Sequence, residues 1–259
     1  MSEATVLVEV KDRVATVTLN RPSNSNVLNL PMGRELLEAA LTCSRKPEVR
    51  AVVLTGAGKH FCFGGDLRGM MSEEGSLEPY LRELTSFLHQ AISHFVRMDA
   101  PVIAAVNGTA AGAGVGLAAM ADLAICGEAS KFSLAYTAVG LTPDGSTSFF
   151  LPQILGNKRA LELILTNRAL TATEALSWGL VNQVVPDEQV LGEALKLAAR
   201  LAAGPTRAFG KAKRLVAGAS GALESHMALE SQMIARQATT AEGREGIQAF
   251  LDKRKPTYP

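Results

Sequence analysis

Two apolar runs, each ending in a glycine-rich turn, constrain this chain more than any other feature. Ala51-Val-Val-Leu-Thr55 runs into Gly56-Ala-Gly58, and Pro101-Val-Ile-Ala-Ala-Val106 runs into Asn107-Gly108. Strands without polar alternation are covered on both faces, which in globular chains means parallel strands flanked by helices. The intervening segments carry the helical period. Leu81, Leu84, Leu88, Ile92 and Phe95 recur at helical spacing within Glu78–Met98, and Pro31 opens a helix running to about Cys43. Upstream, Thr5–Val10 and Val14–Leu19 alternate around Lys-Asp-Arg and read as a hairpin. A helix is expected after the Gly108 turn, to about Asp122, then a short strand, Leu123–Cys126. From Val190 the strand signal ends, and helices are expected near 190–203, 205–217, 222–235 and 242–253. The expected class is α/β with crossover helices, followed by an all-helical tail of the kind that packs on a neighbouring subunit.

Composition removes other classes. The chain has 259 residues, 47% of them hydrophobic and 20% charged, so it can bury a large core. A net charge of +1 leaves no cationic excess for a nucleic acid backbone. Cys43, Cys62 and Cys126 are isolated and odd in number, which excludes a disulfide scaffold and points to a reducing, cytoplasmic setting. The N-terminus lacks a signal-peptide pattern. The most apolar window, 101–121, is broken by Asn107 and four glycines, so no membrane span is expected. His60, His94 and His226 form no metal-binding pattern, and no metal is expected.

The turn Gly108-Thr-Ala-Ala-Gly-Ala-Gly-Val-Gly116 follows a strand and opens a helix. Three readings fit it. Its N–H groups can face the pyrophosphate of a dinucleotide, with Glu128 as the acidic residue at the end of the next strand. Its glycines can serve close packing alone. Or, with the second turn Phe61-Cys-Phe-Gly-Gly-Asp66, it can aim two N–H donors at one oxygen and stabilise charge that develops during reaction.

Asn20-Arg-Pro, Gly56-x-Gly-x-x-Phe61-Cys-x-Gly-Gly-Asp66-Leu, Pro101-Val-Ile-Ala-Ala-Val-Asn-Gly108, Gly112-x-Gly114, Asp122 and Glu174-Ala-x-x-x-Gly-Leu-Val181 follow one another in order. Together they resemble the enoyl-CoA hydratase/isomerase, or crotonase, superfamily across nearly the whole chain. The resemblance implies a crotonase-like ββα spiral core over 1–200 and a helical region over 201–259 that forms a homotrimer or a dimer of trimers. It implies an acyl-CoA substrate, with coenzyme A entering as part of the thioester and no separate cofactor. It places the N–H groups of Gly65 and Ala113 on the thioester oxygen, and Arg21, Phe63, Phe250 and Lys253 at the coenzyme A, the last two on a neighbouring subunit. An alanine at 113 replaces the family's usual glycine and keeps the N–H.

The side chains depart from the family's hydratases. The two catalytic glutamates fall at Gly116 and Tyr136 here. The remaining candidate is Asp144, in Gly140-Leu-Thr-Pro-Asp-Gly145. On its own, Pro-Asp-Gly reads as turn chemistry. The loop, however, resembles that of single-aspartate isomerases of the phenylacetate-pathway type. One carboxylate suffices to take a proton from one carbon of an acyl chain and return it to another. Ala135, Val139, Leu141, Phe149 and Phe150 are expected to keep it dry. A second resemblance, to 4-chlorobenzoyl-CoA dehalogenases, pairs Asp144 with His89 and sets Tyr136 where that branch has tryptophan. Hydration, thioester hydrolysis and a non-enzymatic acyl-CoA scaffold stand as the alternatives. Residues 67–80 are expected to form a polar mobile loop over the acyl site.

Overall fold

The structure is a computed structural model that describes residues 4–72, 77–216 and 222–258. In chain order the first half comprises β1 (Val6–Lys11), β2 (Val14–Leu19), α1 (Leu30–Arg45), β3 (Ala51–Gly56), α2 (Leu67–Ser72), α3 (Leu77–Arg97), β4 (Val102–Val106), β5 (Ala110–Ala111), α4 (Ala113–Ala119), β6 (Leu123–Gly127) and β7 (Lys131–Ser133). Then come α5 (Thr147–Leu155), α6 (Asn157–Thr166), β8 (Leu170–Thr171), α7 (Ala172–Trp178), β9 (Gln183–Val185), α8 (Val190–Ala202), α9 (Thr206–Val216), α10 (Ala222–Ala238) and α11 (Ala241–Leu251). Residue 217 of the expected 205–217 helix lies outside the described residues.

The main sheet runs β1-β2-β3-β4-β6-β9, antiparallel only at the β1–β2 hairpin. Every residue of β3 and β4 is buried, as uninterrupted apolar runs require. Alternate side chains serve two cores. Val52, Leu54, Val102 and Ala104 face α1 and α3, whereas Ala51, Val53, Ile103 and Ala105 meet α8. Helix α8 presents Val190, Ala194, Ala198 and Ala202, one small residue per turn, so it seats close to the sheet. A second sheet, β5-β7-β8, stands beside the first. The sequence missed β5, β7, β8 and β9, each three residues or fewer, which is too short for any periodicity to register.

One expectation changes. Residues 67–80 are not a polar loop: α2 occupies Leu67–Ser72 with Met70 buried, and α3 begins at Leu77, while 73–76 lie outside the described residues. Within the chain, the helical tail packs onto the core. Helix α10 is strapped to α3 by Glu224, which accepts from Ser93 Oγ at 2.7 Å and from Arg97 at 2.6 Å, and by a Thr85–Ser231 hydroxyl pair. Helix α11 seats on the 137–140 turn, because Gly246 lies so near Val139 that a Cβ there would stand 2.3 Å from its carbonyl. Among the described residues, no helix is long and apolar enough to cross a membrane.

Candidate active site

The two glycine turns meet back to back. Ala111 N donates to Cys62 O at 2.8 Å, and Cys62 pairs with Ala110 in an isolated parallel bridge. A Cβ on Gly114 would lie 2.2 Å from Cys62 O, and one on Gly64, where φ is +82°, would lie 3.0 Å from Ala111 O. These glycines therefore serve close approach of two backbones, and the dinucleotide reading loses its basis. The same packing leaves the Gly65 and Ala113 amides on one cavity of about 710 Å³. Ala113 is the first residue of α4, so its N–H has no intrahelical acceptor. Neither amide has a hydrogen-bond partner among the described residues.

Asp144 lines the same cavity and is 4% exposed. Its backbone carbonyl accepts from Tyr136 Oη at 2.9 Å and from Thr147 Oγ1 at 2.8 Å. Tyr136 lines the cavity too, and its hydroxyl is spent on holding the loop. Burial, with Asp144 and Glu230 nearby, pushes its pKa well above the ordinary value, so it stays a neutral donor. The next residue, Gly145, has φ +62°, and a Cβ built there would stand 3.1 Å from Ala113 Cβ. The Asp144 loop and the first residue of α4 are therefore neighbours.

His89 Nε2 lies 3.0 Å from Asp144 Oδ1. Burial opposes the charged imidazole, but Asp144 and Glu230 outweigh it and raise the pKa above the usual histidine value. Glu230 of α10 was not singled out in the sequence. Its oxygens accept from Ser146 N at 2.7 Å, from Ser148 N at 3.1 Å and from the Ser148 hydroxyl. Burial and the charge of Asp144 push its carboxyl up to about 7. A signal was present: Leu223, Met227, Glu230 and Ile234 form the buried stripe of α10, and Glu230 is the acidic member. His89, Asp144 and Glu230 place one ligand-type atom each within 4.8 Å of one another. Their atoms already bond to each other or to the loop, which describes a hydrogen-bonded network.

The coenzyme A candidates divide. Phe63 and Phe250 line the cavity, Phe63 with its ring edge-on to His60 at 4.6 Å. Phe250 reaches the cavity of its own chain. Arg21 is turned away: it binds Asp66 at 3.1 Å and the Val27 carbonyl at 2.6 Å, and is not among the cavity's lining residues. Lys253 is exposed and likewise off the lining. Arg68, which the sequence reading passed over, stands exposed at the rim with no ion pair among the described residues. Of the expected dry wall, Ala135, Val139 and Leu141 line the cavity, while Phe149 packs on Phe150 and His226 instead. Cys62 is a packing residue, its thiol raised to about 12 by burial.

A parallel-sheet core whose glycine turns direct free amides into one apolar cavity defines a crotonase-fold protein. A solved enoyl-CoA hydratase from Mycobacterium avium subsp. paratuberculosis superposes with a TM-score of 0.89 at 32% identity, over 99% of each chain. The family model for enoyl-CoA hydratase/isomerase matches residues 9–259, and the chain belongs to that family. A probable enoyl-CoA hydratase of Rhodobacter capsulatus is 41% identical over 100% of this chain and 99% of its own length. The 1,2-epoxyphenylacetyl-CoA isomerase of Escherichia coli is 36% identical over 98% and 97%.

Proposed function

We propose that this chain shifts a double bond in an enoyl-CoA or ring-modified acyl-CoA, with Asp144 carrying the proton. The observation that supports this most is at Gly116. A Cβ there would lie 1.9 Å from the Gly145 carbonyl oxygen, so the space for a family hydratase's glutamate is filled by backbone. The second glutamate position is Tyr136, whose hydroxyl is engaged. Of the two acidic residues lining the cavity among the described residues, Asp66 is ion-paired to Arg21, which leaves Asp144.

The thioester oxygen accepts the Gly65 and Ala113 N–H bonds. Asp144 takes a proton from a carbon of the acyl chain, and the electron pair moves into the thioester carbonyl as an enolate. The enolate collapses by taking the proton back from Asp144 at the other end of the allylic unit, and the double bond has moved. Each oxyanion donor is worth roughly 2.7–4 kcal/mol in such a step. The product has the composition of the substrate.

One observation favours a second reading. His89 at 3.0 Å from Asp144 suits a carboxylate that attacks an aryl-CoA or acyl-CoA, with the histidine then activating water. A panel of 3-enoyl-CoA and aryl-CoA thioesters, followed by mass spectrometry in ²H₂O and in H₂¹⁸O, separates the two. Isomerisation leaves composition unchanged and exchanges carbon-bound hydrogen; hydrolysis places ¹⁸O in the product. A hydroxylated product that retains all its carbon would move the assignment to hydration.

A further inference from the structure

We infer that Glu230 is a positioning residue for Asp144, acting from α10 as the cap of the segment that carries it. The inference rests on Asp144 being the reacting carboxylate. Helix α5 starts at Thr147 without a side-chain cap of its own: Ser146 has φ +63°, and its hydroxyl turns back onto the Gly145 carbonyl at 2.6 Å. The amides at its N-terminus would otherwise be orphans in a buried site. Glu230 supplies the acceptors across 84 residues of sequence, one oxygen to Ser146 N and the other to Ser148 N and Oγ. Asp144 lies two residues before the first of these contacts, and Tyr136 and Thr147 grip its carbonyl from the other side. The loop is thus held at both ends.

A carboxylate is a costly choice at this position. Glu230 is 4% exposed on the buried stripe of its helix, where an apolar residue would pack without desolvation. Each of its hydrogen bonds goes to the Asp144 segment. Its charge also faces the reacting groups: His89 from α3, Asp144 from the loop, and His226 of its own helix at 3.7 Å, with the neutral Tyr136 hydroxyl on the far side of Asp144. Glu230 therefore fixes both where the Asp144 carboxylate points and the field in which it exchanges its proton.

The test uses the full-length protein and deuterium exchange at carbon 2 of a 3-enoyl-CoA in ²H₂O, followed across pH. Glu230→Ala is expected to lower kcat at least tenfold with KM changed less than threefold. Glu230→Gln keeps an acceptor for Ser146 N–H and is expected to recover most of that rate, but with the inflection of the kcat–pH profile moved to lower pH. Removing a negative charge makes protons on its neighbours easier to lose. A wild-type rate in Glu230→Ala overturns the inference. So does Glu230→Gln with an unmoved pH profile, which decides the matter if the alanine variant does not fold. Exchange that persists in Asp144→Asn instead removes the reading of Asp144 itself, a result distinguishable from both.

Discussion

Gly116→Ala adds one methyl group and tests the local argument directly. On an ordinary helix this change stabilises by roughly 0.8–1 kcal/mol. In α4 the new Cβ would sit 1.9 Å from Gly145 O, 3.0 Å from Gly145 C and 3.3 Å from Thr147 Cγ2. Relief of the first contact needs a displacement of more than about 1 Å, since carbon and oxygen pack at roughly 3.3–3.6 Å even in the closest weak contacts. The loop resists this, because Tyr136, Thr147 and Glu230 hold it by hydrogen bonds on either side of Gly145. Overpacking of this kind costs about 1–3 kcal/mol, with backbone as the obstacle placing it at the upper end. The expected net effect is a loss of about 2 kcal/mol, or roughly 4–8 °C in Tm for a chain of this size. Asp144 adjoins the displaced residue, so carbon-hydrogen exchange should fall by more than tenfold. Thermal melting followed by circular dichroism, with the exchange assay on the same preparation, measures both. An alanine variant that melts at or above the wild type and exchanges at its rate would refute the claim that Gly145 fills the space in which family hydratases carry a glutamate at the position of Gly116.

Asp144→Asn should lower turnover by about 10²–10⁴, the usual worth of a positioned acid/base, while a non-reactive CoA thioester binds with a Kd within threefold of wild type by calorimetry. Arg68→Ala should raise KM for CoA thioesters several-fold, leave kcat unchanged, and have no effect on turnover of the pantetheine thioester that lacks the nucleotide phosphates. The raised carboxyl of Glu230 gives a stability signature. From an ordinary 4.5 to about 7, the folded protein holds a proton that the unfolded chain has lost, so stability falls as pH rises through that window. At 1.36 kcal/mol per pH unit this amounts to at most about 3 kcal/mol, and denaturant titrations of Glu230→Gln between pH 4.5 and 7 should show a flatter dependence than wild type.

The parts legible in the sequence are those whose physics is local. Uninterrupted apolar runs announced β3 and β4, the 3.6-residue stripe announced α3, and the tail helices matched their spacing, since burial on one or both faces writes a short-range pattern. The glycine turns and the Pro-Asp-Gly loop were visible for the same reason. The rest depended on elements far apart in the chain. Whether Gly116 faced open space or the Gly145 carbonyl, whether Arg21 pointed to the cavity or to Asp66, and whether Phe250 reached the cavity were decided by packing between distant segments. Glu230 shows the division most sharply. Its place on an apolar stripe was readable within a dozen residues, but its partners, Ser146 and Ser148, lie more than 80 residues away. Periodicity states which face of a helix is buried; only the folded chain brings to that face the groups that a buried charge must bond.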